Sequence, residues 1–213
     1  MAVDFYEQSI DKLRRLDGIS EILGVGYNNL GQLYRRMDEY ENATECLRKS
    51  VNINRMLSGC SNGMVVSLVN YSRLSFSNDG NATRVLSILD EAYDVRAQIG
   101  LKHYYTALIQ YHRGRMQLSL EQFHRAADSF EYAVDIFEQE EGLHPLLMAS
   151  ALLKWGIALK KLGRLEEAEL QLTRSLKISE KVAKDNDTPC EKVDNLKDAL
   201  RELGEVKSMM GRR

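Results

Sequence analysis

Tyr27-Asn28-Asn29-Leu30-Gly31-Gln32-Leu33-Tyr34, followed after eight residues by Ala43-Thr44-Glu45-Cys46-Leu47-Arg48-Lys49-Ser50, decides how this 213-residue chain folds. Within each segment the large and small residues recur at steps of three and four, the spacing of one helix face. The second segment then returns three times. Its small column reads Ala43, Val85, Ala126 and Ala168, at steps of 42, 41 and 42 residues. Four places on stand Leu47, Leu89, Phe130 and Leu172, then Ser50, Ala92, Ala133 and Ser175, then Ile53, Val95, Ile136 and Ile178. A fixed period with helical steps inside it predicts a repeated helical unit, not one globular core. Such a stack presents a long continuous surface and no single deep pocket.

The first segment recurs less strictly. Gly31, Gly114 and Gly156 share a slot twelve residues before the small column, with Arg73 as the exception. Leu30 and Trp155 precede that slot; Tyr34, Phe76 and Leu159 follow it by three. A glycine on the first helix lets the small residues of the second approach its backbone, while large neighbours fill the flanking gaps. The pattern resembles the tetratricopeptide repeat. The resemblance covers residues 19–184 and is sharpest in the first and fourth units. Arg73 weakens it in the second; Gln110 and Gln117 occupy the usual aromatic slots in the third.

Two departures belong together. The family's period is about 34 residues, shorter than the period here. Its closing Pro is also missing, the slot holding Arg55, Ala97, Glu138 and Glu180. With no Pro to stop it, each helix can run on about one extra turn, roughly 5–6 Å. Long-helix repeats of this kind are similar to those of kinesin light chains and of the Pins-type spindle-orientation adaptors.

Composition excludes several classes. The chain is 44% hydrophobic and 28% charged, ordinary for a helical globular protein. It has two prolines and no apolar stretch near 18 residues, so no membrane span is expected. A net charge of −2 gives no footprint for nucleic acid. Basic pairs such as Arg14-Arg15, Arg35-Arg36 and Lys160-Lys161 read as solvated helix positions. Cys46, Cys60 and Cys190 form an odd set without CxxC spacing, pointing to free thiols and a reducing, cytoplasmic compartment. His103, His112, His124 and His144 lack the spacing of a metal set, and no phosphate loop or nucleophile elbow appears. The expectation is a non-enzyme without cofactor or metal.

The predicted architecture is all-α, a right-handed α-solenoid of antiparallel helix hairpins. A half-repeat covers 1–18, full repeats 19–60, 61–101, 102–143 and 144–186, and a capping helix with its tail 187–213. Helices are expected at 2–17, 20–37, 39–57, 63–77, 81–99, 101–119, 121–140, 145–162, 165–184 and 189–209. Breaks fall at Gly18, Ser58–Gly63, Asn78–Gly80, Gly100, Glu141-Gly142 and Asp185–Pro189, where Thr188 would cap a helix starting at Pro189. The last helix sets Val193, Leu196, Leu200 and Leu203 on one face. Ala2, Tyr6 and Ser9 repeat the spacing of Ala43, Leu47 and Ser50, so the first helix looks like the second half of a unit whose first half is absent. Either the chain is cut from a longer array, or it begins with a half-repeat cap.

The resemblance implies that first helices line a concave groove and second helices its outer wall. By register the groove receives Asn28, Gln32 and Arg35 from the first unit, and Asn70, Tyr71 and Leu74 from the second. The third adds Leu108, Tyr111 and Arg115, the fourth Lys154 and Ile157. Asn28 and Asn70 share one slot. An amide both donates and accepts, so aligned Asn side chains can hold an extended backbone without reading its sequence. Leu74, Leu108, Tyr111 and Ile157 would supply apolar pockets, and Arg35, Arg115 and Lys154 a preference for acids. The basic clamp by which some family members grip chaperone tails is lost, its slots holding Asn28, Gln32, Tyr71, Leu108 and His112. The expected function is a protein–protein adaptor binding a linear peptide or helical segment of a partner, with no nucleic acid or membrane. The alternatives are self-association or complex assembly through ends and outer helices, and a regulatory peptide-sensing domain.

Overall fold

The computed structural model describes residues 2–16, 18–57, 61–100, 104–140, 143–184 and 191–211, apart from the side chains of 78–79 and 191–195. All regular structure among them is helical: α1 (Ala2–Leu16), α2 (Glu21–Arg36), α3 (Tyr40–Met56), α4 (Asn62–Asp79), α5 (Ala82–Ile99), α6 (Tyr104–Ser119), α7 (Phe123–Gln139), α8 (Pro145–Lys161), α9 (Leu165–Lys184) and α10 (Glu191–Met209). The expected breaks at Ser58–Cys60, Glu141-Gly142 and Asp185–Pro189, with the Thr188 cap, lie outside the described residues, as do the expected helix starts at Leu101–His103 and Pro189-Cys190.

Local chemistry starts and stops these helices. Ser20 Oγ accepts from Leu23 N at 3.3 Å, Ser61 Oγ from Met64 N at 3.2 Å, and Asn81 Oδ1 from Arg84 N at 2.9 Å, each satisfying a first-turn amide. Pro145 opens α8 where its missing N–H costs nothing. The turn inside each hairpin needs one left-handed residue, supplied by Asp38 (φ 61°), Gly80 (φ 62°), Glu121 (φ 57°) and Gly163 (φ 75°). Lacking the closing Pro, α3, α5, α7 and α9 run through Arg55, Ala97, Glu138 and Glu180.

The chain divides into two compact units, residues 1–101 and 102–213. In the first, α2–α3 and α4–α5 pair as hairpins, α4 packs on α3, and α1 packs on α2. In the second, α6–α7 and α8–α9 pair, α8 packs on α7, and α10 lies against α9 and α8.

The glycine slot does what its pattern predicts. A Cβ on Gly31 would stand 2.8 Å from Leu47 Cγ, on Gly114 2.8 Å from Phe130 Cε1, and on Gly156 2.6 Å from Leu172 Cγ. Leu47, Phe130 and Leu172 are fully buried there, each stabilising its unit by about 1.5–3 kcal/mol. The column of Ser50, Ala92, Ala133 and Ser175 adds a hydrogen bond where it is serine. Ser50 Oγ donates to Gly24 O and Ser175 Oγ to Ala149 O, both at 2.7 Å and both across 26 residues.

The second hairpin departs from the expected register. Arg73 is exposed, and Ser72, one place earlier, is fully buried. Helix α4 has 18 residues against 16 in α2 and in α6, and Ser72 stands 13 positions before Val85 where Gly31 stands 12 before Ala43, so one extra residue falls after Ser72. The slot is thus occupied by a small residue in every hairpin. Burial shows the shift: Arg73 is exposed to solvent, where a charged guanidinium is cheapest to keep, and the small Ser72 fills the seam.

Charged residues in the missing-Pro slot tie neighbouring hairpins together. Arg55 donates to both Glu91 oxygens, Nε at 2.9 Å and Nη2 at 2.6 Å, joining α3 to α5. In the second unit Glu138, in the same slot, accepts from Arg174 Nη2, joining α7 to α9. The polarity is reversed and the separation is again 36 residues.

Candidate functional site

The two units each present a face built from first helices. In the first unit this is α2 with α4. Asn70 Nδ2 donates to Asn28 Oδ1 at 3.0 Å, so the two asparagines expected to reach a ligand pair with each other. Asn28 is itself buried, and its amide lies 3.5 Å from Asn29 Oδ1. Asn70 remains half-buried. Beside them Arg35 Nε donates to Gln32 Oε1 at 3.1 Å, both side chains half-exposed at the surface.

The longer α4 turns two expected groove residues away. Leu74 is buried with Ala43 and Leu47 of the preceding hairpin, and Tyr71 packs against the same cluster while its hydroxyl accepts from Arg84 Nη2 at 3.1 Å. Counting from Ser72, the positions that match Gln32 and Arg35 are Arg73, exposed, and Phe76, half-buried. Sequence reading missed both because it kept Arg73 in the glycine slot. The signal was present in the small, alternating Ser72 and Ser75.

In the second unit the face belongs to α6 and α8. Leu108 is 8% exposed and Ile157 packs against the main core cluster, so neither offers an open pocket. The Arg115 guanidinium lies over the Tyr111 ring, 5.8 Å from its centroid, and that ring packs on Phe130 at 6.1 Å. Lys154 is half-buried. His112, next to Tyr111, is buried. One end of this face is already occupied by acids. Lys160 Nζ donates to Glu202 Oε2, and to Glu205 Oε2 at 2.6 Å, both on α10. Burial of Lys160 opposes its charge, but the two carboxylates outweigh it and its pKa rises; Lys160 in turn holds Glu205 below the ordinary carboxylate range.

Helix α10 docks on α8 and α9 through Ala199, Leu203, Val206 and Met210. This corrects the expected face. Leu203 belongs to it, Leu200 is 52% exposed, and the side chain of Val193 lies outside the described set. Tyr27 and Trp155 are packing residues.

Sign of charge distinguishes the faces. The register positions on the face of the first unit carry Arg35 and Arg73, those of the second Arg115, Lys154 and Lys160, and neither set holds a carboxylate, in a chain with 31 Asp and Glu residues. A second concavity lies on the other side of the first unit. It is a cleft of about 390 Å³ between α1 and α3, floored by Tyr27, Leu30 and Tyr34 of α2. Tyr34 donates to Glu7 Oε1 at 2.8 Å across it, and Lys49 sits over the Tyr27 ring at 5.6 Å. Its thiol, Cys46, is pushed up by burial and stays protonated near neutrality, which makes it a poor nucleophile. Among the described residues no group of three His, Cys, Asp or Glu side chains could hold a metal, and no helix is long and apolar enough to cross a membrane.

Comparison with known proteins agrees with this geometry. Residues 26–55 match the family model of the tetratricopeptide repeat. No curated protein sequence matches the chain. Among solved structures, BtubC (BKLC) from P. vanneervenii is similar over 98% of this chain and 83% of its own, with 18% identity and a TM-score of 0.77. A putative kinesin light chain from Podosopora anserina with nearly identical TPR-like repeats covers 88% and 86%, at 18% identity and a TM-score of 0.67. YrrB, described as a TPR protein with an unusual peptide-binding site, covers 92% and 93%, at 15% identity and a TM-score of 0.57. The fold is therefore the all-α helix-hairpin solenoid of tetratricopeptide-like repeat proteins, kinesin-light-chain-like repeats among them.

Proposed function

We propose that the chain is a non-catalytic interaction scaffold that holds acidic, extended or helical segments of partner proteins on the first-helix face of each unit, α2–α4 in the first and α6–α8 in the second. One observation carries the reading: the first-helix register positions of those faces bear cations and amides without a carboxylate, although acids slightly outnumber bases in the whole chain. Lys160 supplies an internal example, since it already holds two carboxylates of a docked helix. Arg35, Asn70, Arg115 and Lys154 are the groups that meet the partner, with Tyr111 and Phe76 as apolar surface beside them. Asn28 acts through Asn70, fixing its amide in place. The unusual peptide-binding site described for YrrB supports the general mode on this fold. Charge-assisted bonds to a few side chains set specificity more than affinity, so binding in the micromolar range is expected, about −8 kcal/mol.

Selection from a displayed random-peptide library on the intact chain tests this. The expected binders are rich in Asp and Glu with one or two large apolar residues. Replacing Arg115 and Lys154 together by Ala should weaken them at least about ten-fold and flatten their salt dependence. Binders that are basic, or that hold equally well to the double variant, would place the interaction on another surface.

A further inference from the structure

Both ends of the described helices carry half of a hairpin interface. Helix α10 has the register of a first helix. Ala199, Leu203, Gly204, Val206 and Met210 reproduce Ala151, Trp155, Gly156, Ala158 and Leu162 at one constant offset, and they dock on the preceding hairpin in the same way. What differs is the side that a second helix should cover. In α8 that side is Ala149, Leu152, Gly156 and Leu159, all buried by α9. In α10 it is Lys197, Leu200, Gly204 and Lys207, all exposed. Gly31, Gly114 and Gly156 each have a large side chain pressed against them, whereas a Cβ on Gly204 would meet nothing within 4 Å.

Helix α1 shows the converse. Its Ile10 is buried like Val51 of α3, 41 residues on, so it packs on α2 as α3 packs on α4. Its other side is open. Phe5 is 69% exposed where Cys46 is 7%, and Lys12 is exposed where Ile53 is buried. A polar cap would carry the two lysines of α10, but an exposed helix interior has no use for glycine beside an exposed leucine.

We propose that copies of this chain join end to end, α10 of one copy forming a hairpin with α1 of the next. In α2–α3 Gly31 faces Leu47 and Gly24 faces Ile53. The same register sets Tyr6 into the Gly204 slot and brings Lys12 against Lys197. The antiparallel sense turns Lys207 toward the exposed Asp4 in the first turn of α1. Because the two surfaces differ, the contact is head-to-tail, and each copy that joins brings a further free surface for the next. It leaves the basic faces of α2–α4 and α6–α8 uncovered, and stands or falls independently of their function.

Sedimentation of the intact chain from about 1 to 300 µM tests it, since one helix pair falls in the weak interface class. Mass should climb with concentration without a plateau at two chains. Gly204→Leu should keep or raise helix content and melting temperature, because the slot is open in the single chain, yet weaken association at least about ten-fold by filling it. Phe5→Arg should do the same from the other end. Mixed, the two variants keep one good end each and should form a one-to-one pair that grows no further. Lys12→Glu, which removes the like-charge contact, should tighten association about two- to three-fold. A wild type that stays at one chain throughout, or a Gly204→Leu variant that associates as well as wild type, would overturn the proposal; the second outcome would leave α1 pairing with another α1.

Discussion

Gly156 shows how little room a single position leaves. Leu172 Cγ lies 2.6 Å from where a Cβ would stand, and the carbonyl of Ala168 is 3.3 Å away. The leucine is fully buried and the carbonyl is backbone, so neither gives way cheaply. Gly156→Ala gains helix propensity of roughly 1 kcal/mol and meets an overpacking cost of about 1–3 kcal/mol. Overpacking wins. Urea unfolding of Gly156→Ala should show a net loss of stability of about 0.5–2 kcal/mol. A variant as stable as the wild type would mean that the α8–α9 seam is looser than the distances say. The same contact explains why the glycine column is legible in the sequence: steric demand at one atom leaves only one residue type, and it leaves it in every unit that keeps the register.

Helix α4 shows where that legibility stops. Spacing fixed the ten helices, their boundaries to within a few residues, and the columns Ala43, Leu47, Ser50 and Ile53 with their repeats. It did not reveal that α4 carries one extra residue after the slot. A one-residue slip rotates a helix by about 100°, and sequence alone registers it only through burial. Without the extra residue, Tyr71 and Leu74 are assigned to the groove instead of the seam, and Arg73 and Phe76 stay hidden. The Asn28–Asn70 pair was hidden for a related reason. Counting from Ser72, Asn70 matches Asn29 and not Asn28, so the 42-residue spacing did not show that Asn28 and Asn70 bond to each other. The element-scale prediction follows from the corrected register. Ser72→Leu places a four-carbon side chain in a seam where serine is 0% exposed, and should destabilise the first unit by about 1–3 kcal/mol. Hydrogen exchange should report the loss in α4 and α5 first. If Ser72→Leu left exchange in both helices unchanged, the slot would have to lie at another residue of α4.

For the whole chain, the ionic ties set a pH window whose two limits come from opposite kinds of group. Glu45, Glu167 and Glu205 are held below the ordinary carboxylate range by hydrogen bonds from Arg48, Arg164 and Lys160. A group lowered on folding stabilises only when ionised. Its contribution is complete above the unfolded value near ~4.3 and is lost as pH falls through the folded value. Tyr34 and Lys160 act in the other direction. The hydrogen bond to Glu7 pushes Tyr34 up to about 12, and Lys160 is raised because Glu202 and Glu205 outweigh its burial. Their contributions are complete below unfolded values of about 10 and are lost as pH rises through the folded ones. These ties are largely exposed, so each limb is shallow and salt weakens it. Thermal melts followed by circular dichroism should therefore show a plateau from about pH 5 to 9 with a decline on either side. Tyr34→Phe removes the tie between α1 and α2 that titrates on the alkaline limb. It should lower the plateau slightly and make the alkaline decline shallower. An alkaline limb identical in Tyr34→Phe and wild type would show that α1 is held by Ile10 and its apolar neighbours alone.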